Sequence, residues 1–271
     1  MHMNTKKLIE EIEKIAPRNL EESWDNCGMQ IDAGQIEVGK VLISLEITRE
    51  VIEEAGALGV DFIIAHHPLL FDPIRRVDQH TVTGAMLFQL IQGKISVYAA
   101  HTTFDAAWGG NNDYIASILK LEEVKPFADA TSPTGENHIG RMGRLKKPCT
   151  LQALNDKVAK ALKIEKTISC VGYKDQEITT VGICSGAGGD LMELALACGC
   201  QAFITGDVKH HSALWAKSAG LAVIDGGHYG TEHLFIENFG EKLRTAVAGQ
   251  VEIIESQVNT DPFQFYLEKN W

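Results

Sequence analysis

Three short polar stretches in this 271-residue chain carry side chains able to bind metal ions and move protons: His66-His67, His101 with Asp105, and His228 with Glu232. Neutral imidazole nitrogen and carboxylate oxygen together suit Zn, Mn, Fe or Ni better than Ca or Mg. The i, i+4 spacing of His228 and Glu232 puts imidazole and carboxylate on one face at a helix start. Gly226, Gly227 and Gly230 beside them let the backbone come close to a ligand. Five such ligands exceed what one tetrahedral zinc needs. Carboxylates can bridge, so the set reads as a two-metal centre with Asp105 and Glu232 as the bridging candidates. Two cations would share and deprotonate a water, giving hydroxide at neutral pH. The plainer alternative is a capping role for Glu232 and solvated histidines.

Further residues are candidates of lower rank. His211, in His210-His211 after Thr205-Gly206-Asp207, could serve as a proton donor or substrate contact, or could simply cap or face solvent. Trp24, Asp25 and Asn26 could wall a site or bind a base edge; the alternative is a Trp packed beneath a turn. Gly186-Ala187-Gly188-Gly189 follows a strand and opens a helix, where backbone amides can cradle phosphate. Leu191 stands where the last Rossmann glycine belongs and Asp190 would repel an anion, which favours a tight structural turn. No Walker-type Gly-Lys-Ser/Thr and no nucleophile-elbow pattern occurs.

The elements that must position these residues are legible from periodicity. Asp61 to Ala65 is a short apolar run after a helix-like segment, as in a buried parallel strand, and Pro68 stops it just beyond His66-His67. Residues 41–45 and 95–100 read as further strands, with helices over 48–58 and 83–92 between them. A helix over 4–16 precedes them, and one through Leu119 follows a Gly- and Asn-rich turn. This βαβαβα order predicts a parallel sheet covered on both faces. In such sheets ligands bind beyond the carboxyl ends of the strands, where the histidines fall. Farther on, helices are expected at 151–162, 190–198, 212–218 and 231–246. Strands are expected at 167–172, 178–184, 202–205, 221–224 and 251–256.

Sliding the chain by 140 residues aligns Val41 with Val181, Gly59 with Gly199 and Ile64 with Ile204, among seven identities in positions 41–64. The fold expected is therefore α/β: two related α/β lobes with mixed or mostly parallel sheets and a metal cleft between them. Residues 126–148 hold three of the seven prolines, which places an N-terminal lobe at 1–125, a connecting segment at 126–148 and a C-terminal lobe at 149–271. The C-terminal helix and strand could intertwine the lobes.

Composition narrows the class of function. With 45% hydrophobic and 23% charged residues the chain is that of an ordinary globular protein. A net charge of −11 argues against a protein that grips nucleic acid through its bulk field. No 18-residue apolar run predicts a membrane span, and the first ten residues lack the apolar core of a secretory signal. Six scattered cysteines read as free thiols in a reducing, cytoplasmic compartment.

The motifs Ser23-Trp24-Asp25-Asn26-x-Gly28, His66-His67-Pro68, His101-Thr102-x-x-Asp105, Thr205-Gly206-Asp207 and Gly227-His228-x-x-Thr231-Glu232 together resemble the Nif-three-like family. Its members also carry the name GTP cyclohydrolase I type 2 homologue. The resemblance covers nearly the whole chain. It implies two α/β lobes, a dinuclear centre of divalent cations and a ring-shaped homohexamer. It places the metal ligands on His66, His67, Asp105, His228 and Glu232, with His101 close to the metals. The expected activity is a metal-dependent hydrolase acting on a small molecule such as a nucleotide. In the GTP cyclohydrolase version, hydroxide attacks C8 of guanine and formate leaves, with His101 or His211 moving protons. A metal-dependent phosphoesterase and a non-catalytic metal-binding scaffold are the alternatives.

Overall fold

The computed structural model describes residues 2–132, 134–164 and 168–264, and it is α/β with mixed sheets. The chain divides into two compact units, residues 1–114 with 233–258 and residues 115–232 with 259–271.

The first unit holds a five-stranded sheet in the order Glu252–Glu255, Lys40–Ser44, Phe62–Ala65, Ser96–Ala99 and Gly28–Ile31. The first four strands run parallel, and Gly28–Ile31 closes the edge antiparallel. The strands Lys40–Ser44, Phe62–Ala65 and Ser96–Ala99 are buried at all but one position, Lys40. Burial on both faces explains why they read as continuous apolar runs and not as alternating ones. The crossover helix Arg49–Leu58 starts where the Thr48 hydroxyl accepts from the Val51 N–H at 3.3 Å. It buries Val51, Ile52 and Ala55 in a core with Leu42, Ile63 and Val97. A second core stacks Phe104, Phe235 and Phe239, with neighbouring ring centroids 5.1–5.4 Å apart.

The helix Phe235–Val247 and the strand Glu252–Glu255 come last in the sequence yet belong to this first unit. The strand pairs parallel with Lys40–Ser44, Ile253 opposite Val41.

The second unit carries a six-stranded sheet, ordered Leu121–Ala128, Glu136–Thr150, Glu177–Ile183, Ala202–Thr205, Ala222–Asp225 and Ser169–Val171. Only its three central neighbours, Glu177–Ile183, Ala202–Thr205 and Ala222–Asp225, are parallel. The segment 126–148, expected to connect lobes, differs from that expectation: most of it lies within the two longest strands of this sheet. Pro126 sits on the edge strand at a register shift, where a missing backbone N–H costs little. Thr167, the first residue of the expected strand 167–172, lies outside the described residues, as does the tail from residue 265.

The internal likeness extends to strand register. Val41 pairs with Phe62 in the first unit and Val181 with Ala202 in the second, the same spacing shifted by 140. The next crossover diverges. Phe62 pairs with Ser96, 34 residues on, whereas Ala202 pairs with Ala222, 20 residues on. The extra length falls largely in the irregular stretch after His67.

Candidate metal site

Each unit brings its donors to the carboxyl ends of its parallel strands. In the first unit, Ser44 leads to Glu46, Ala65 to His66 and His67, and Ala99 to His101 and the short helix Thr102–Ala106 with Asp105. His66 is fully buried, its ring 4.9 Å from that of Phe235. His66, His67 and His101 each offer a ligand atom, and these atoms lie within 4.8 Å of one another. Asp105 is buried, and its Oδ2 lies 3.6 Å from Nε2 of His66. That is too long for a hydrogen bond. It is close to the spacing of two donors on one ion, since ligand atoms about 2.1 Å from a common cation lie about 3.0–3.5 Å apart.

The other nitrogen of each ring is occupied in a consistent way. His66 Nδ1 lies 3.0 Å from the Ala100 carbonyl, which can only accept, so Nδ1 carries the proton. His67 Nδ1 donates to Glu46 Oε1 at 2.6 Å, and His101 Nδ1 to Asp25 Oδ1 at 2.9 Å. In the second unit His228 Nδ1 donates to Asp207 Oδ2 at 2.7 Å. With Nδ1 protonated, a neutral imidazole keeps its lone pair on Nε2, the form a metal ligand needs. Each of the four imidazoles is thus held in the form that binds a divalent cation.

Asp25 does more than orient His101. It also accepts from the Thr102 N–H at 3.1 Å, the Thr102 hydroxyl at 2.5 Å and the Cys27 thiol at 3.0 Å. Burial alone would raise its pKa, but the charge and hydrogen bond of His101 and the bonds from Cys27 and Thr102 hold it well below the usual carboxylate range.

In the second unit, His228 and Glu232 open and close the helix His228–Glu232, with Nε2 and Oε2 3.0 Å apart. Three loops beyond the parallel strands hold them. Gly206 donates to the Gly186 carbonyl at 2.7 Å, and the Gly186 N–H donates to the Thr231 hydroxyl at 2.9 Å. A Cβ on Gly206 would stand 2.6 Å from the His228 backbone nitrogen, so only glycine lets these loops touch. Asp207 follows with φ 52°, a left-handed conformation Asp tolerates, and that turn delivers its carboxylate to His228. Gly186, also left-handed at φ +66°, lies against Glu232: a Cβ there would fall 2.0 Å from Oε1. The Ser185–Gly189 stretch is thus a structural turn that walls the carboxylate.

His211 stands exposed in the first turn of the helix His210–Ala219, its ring 5.8 Å from that of His210. Trp24 is exposed and not packed beneath its turn. Sequence reasoning passed over Glu46 and left Asp207 without a role. A signal existed for both, since each follows a buried parallel strand as the donors do.

A family model described as Duf34/NIF3 (NGG1p interacting factor 3) matches residues 3–262. The chain belongs to this family. It is 33% identical over 268 residues to the GTP cyclohydrolase 1 type 2 homolog of Clostridium acetobutylicum, covering 98% of this chain and 100% of that protein. The Lactococcus lactis protein of the same name is 36% identical over 256 residues, covering 93% and 96%. Among solved structures, a Bacillus cereus protein related to NIF3 superposes with a TM-score of 0.89 at 25% identity, over 97% of this chain and 99% of that one. Reduced HcgD from Methanocaldococcus jannaschii does so with a TM-score of 0.82 at 32% identity, over 95% and 99%. As a Duf34/NIF3 protein the chain carries a residue cluster able to hold a metal. All six cysteines are free, and no helix among the described residues is long and apolar enough to cross a membrane.

Proposed function

We propose that this protein is a metal-dependent hydrolase. It would hold two divalent cations, of Zn, Mn, Fe or Ni, through His66, His67, Asp105, His228 and Glu232. The observation that carries the reading is the common state of the three ligand imidazoles: each Nδ1 of His66, His67 and His228 is tied to an acceptor, which leaves Nε2 as the ligand atom. Structural histidines have no reason to share one tautomer. A bound divalent cation supplies Lewis acidity and a neutral-pH route to a hydroxide nucleophile.

The chain's own groups do the rest. Burial of His66, Asp105 and Glu232 keeps water from competing for the donors. Glu46, Asp25 and Asp207 fix ring orientation and make the imidazoles better donors. His101, braced by Asp25 beside His66 and His67, is the residue placed to carry a proton. His211, exposed on the helix His210–Ala219, is the second candidate for that role.

The name shared by the relatives makes GTP the first substrate to assay, through opening of the guanine ring at C8 and release of formate. The decisive experiment strips the protein of metal, restores Zn, Mn or Fe, and measures formate from GTP and turnover of a nucleotide panel. Restored activity that Glu232→Gln abolishes supports the reading. Metal-loaded protein that is inert on the whole panel, with Glu232→Gln changing only thermal stability, overturns it. The family resemblance also predicts a homohexamer, which sedimentation of the same samples tests.

A further inference from the structure

Two aromatic side chains stand in solvent next to the histidine cluster, and the structure holds both in place. Trp24 is 56% exposed and Phe71 47% exposed, with ring centroids 6.2 Å apart and planes tilted by 51°. Paired and held together, they present two large π-faces on which a flat ligand can stack. These two are not loose. The Asn26 side-chain amide donates to the Leu70 carbonyl at 2.5 Å, and the Leu70 N–H donates to Gln30 Oε1 at 3.1 Å. The loop bearing Trp24 is thus fastened to the loop bearing Phe71. Next to Trp24, Asp25 anchors the backbone to His101 and Thr102.

The edge of the pair meets the cluster. Trp24 and His101 meet in a T-shape at 6.1 Å between centroids, and His101 lies 5.1 Å from His66 and 5.2 Å from His67. A flat ring stacked on the aromatic pair therefore lies beside His101, the imidazole that borders His66 and His67. A planar aromatic ring covers the π-faces more fully than a puckered sugar or an aliphatic acid does. A planar heterocycle with a lone-pair donor at its edge satisfies both halves of the geometry.

We propose that Trp24 and Phe71 form the substrate-ring subsite, selecting small molecules that carry a planar aromatic heterocycle and directing its edge toward His101, His66 and His67. This rests on the metal-site reading above and adds the part of the substrate that reading leaves open.

The test uses full-length protein carrying Trp108→Phe, Trp215→Phe and Trp271→Phe, so that Trp24 is the sole indole, with and without added zinc. Guanosine 5′-monophosphate, adenosine 5′-monophosphate and ribose 5-phosphate are titrated while Trp24 fluorescence is followed. Binding to the unlabelled wild type and its variants is measured by calorimetry. The nucleotides should quench Trp24 and bind about tenfold or more tighter than ribose 5-phosphate. Trp24→Ala and Phe71→Ala should each lose about tenfold, Trp24→Phe should stay within about threefold, and zinc content should be unchanged in all three. Equal binding of ribose 5-phosphate, no quenching by either nucleotide, or full affinity in Trp24→Ala would overturn the proposal. Loss of zinc uptake by the wild type would count against the metal reading alone, because quenching is read in metal-free protein as well.

Discussion

Replacing Gly186 by Ala is the sharpest probe of how the fold aims Glu232. The added Cβ would lie 2.0 Å from Glu232 Oε1 and 2.9 Å from its Cδ, where carbon and oxygen need more than 3 Å. The carboxylate must retreat by roughly an ångström, and a ligand displaced that far no longer meets a cation held by the other donors. The left-handed φ of +66° adds about 1–2 kcal/mol of backbone strain, which translates into a Tm loss of about 2–8 °C. Metal affinity should fall further than that modest strain suggests, by about 10–100-fold, as when a positioning group is removed. Competition with a fluorescent chelator gives the affinity, and scanning calorimetry gives the stability. Gly189→Ala is the control, because the nearest atom to its Cβ is the Met192 methyl at 4.0 Å. If Gly186→Ala binds zinc as tightly as wild type, Glu232 is not aimed by this turn and the argument fails.

Other outcomes are expected. Glu46→Gln and Asp207→Asn keep the side-chain shape but weaken the charge on the His67 and His228 bonds. Each should lower zinc affinity by about 10–100-fold in chelator competition with little change in Tm. Asp25 has its folded pKa below the unfolded value of about 3.9, so its stabilisation is complete above that value and is lost as pH falls toward the folded one. Metal-free wild type should therefore lose Tm more steeply than Asp25→Asn as pH drops from about 5 to about 2.5; parallel curves would contradict the depressed pKa. Burial pushes the Cys27 thiol up to about 11 and the Cys200 thiol up to about 12. Alkylation near pH 8 followed by peptide mapping should leave both intact while exposed Cys170 is modified.

Much of the site was legible because its signals are local. Buried strands such as Phe62–Ala65 announce themselves as apolar runs, and a polar residue just past such a run stands where α/β sheets bind ligands. That logic put forward His66, His67, His101, Asp105, His228 and Glu232 as candidates, and the 140-residue likeness pointed to two βαβ crossovers of the same register. Residues 126–148 misled because Pro and Gly usually mark loops, whereas an edge strand with register shifts accepts them.

By itself, then, the sequence determined which side chains could bind a cation and at which strand ends they stand, since periodicity and turn residues act over a few positions. Only the tertiary structure decided that Glu46 serves His67 from 21 residues away, that Asp25 serves His101 from 76, and that Gly186 walls Glu232. Those pairings depend on which loops the sheet order brings together, and no local pattern encodes that order.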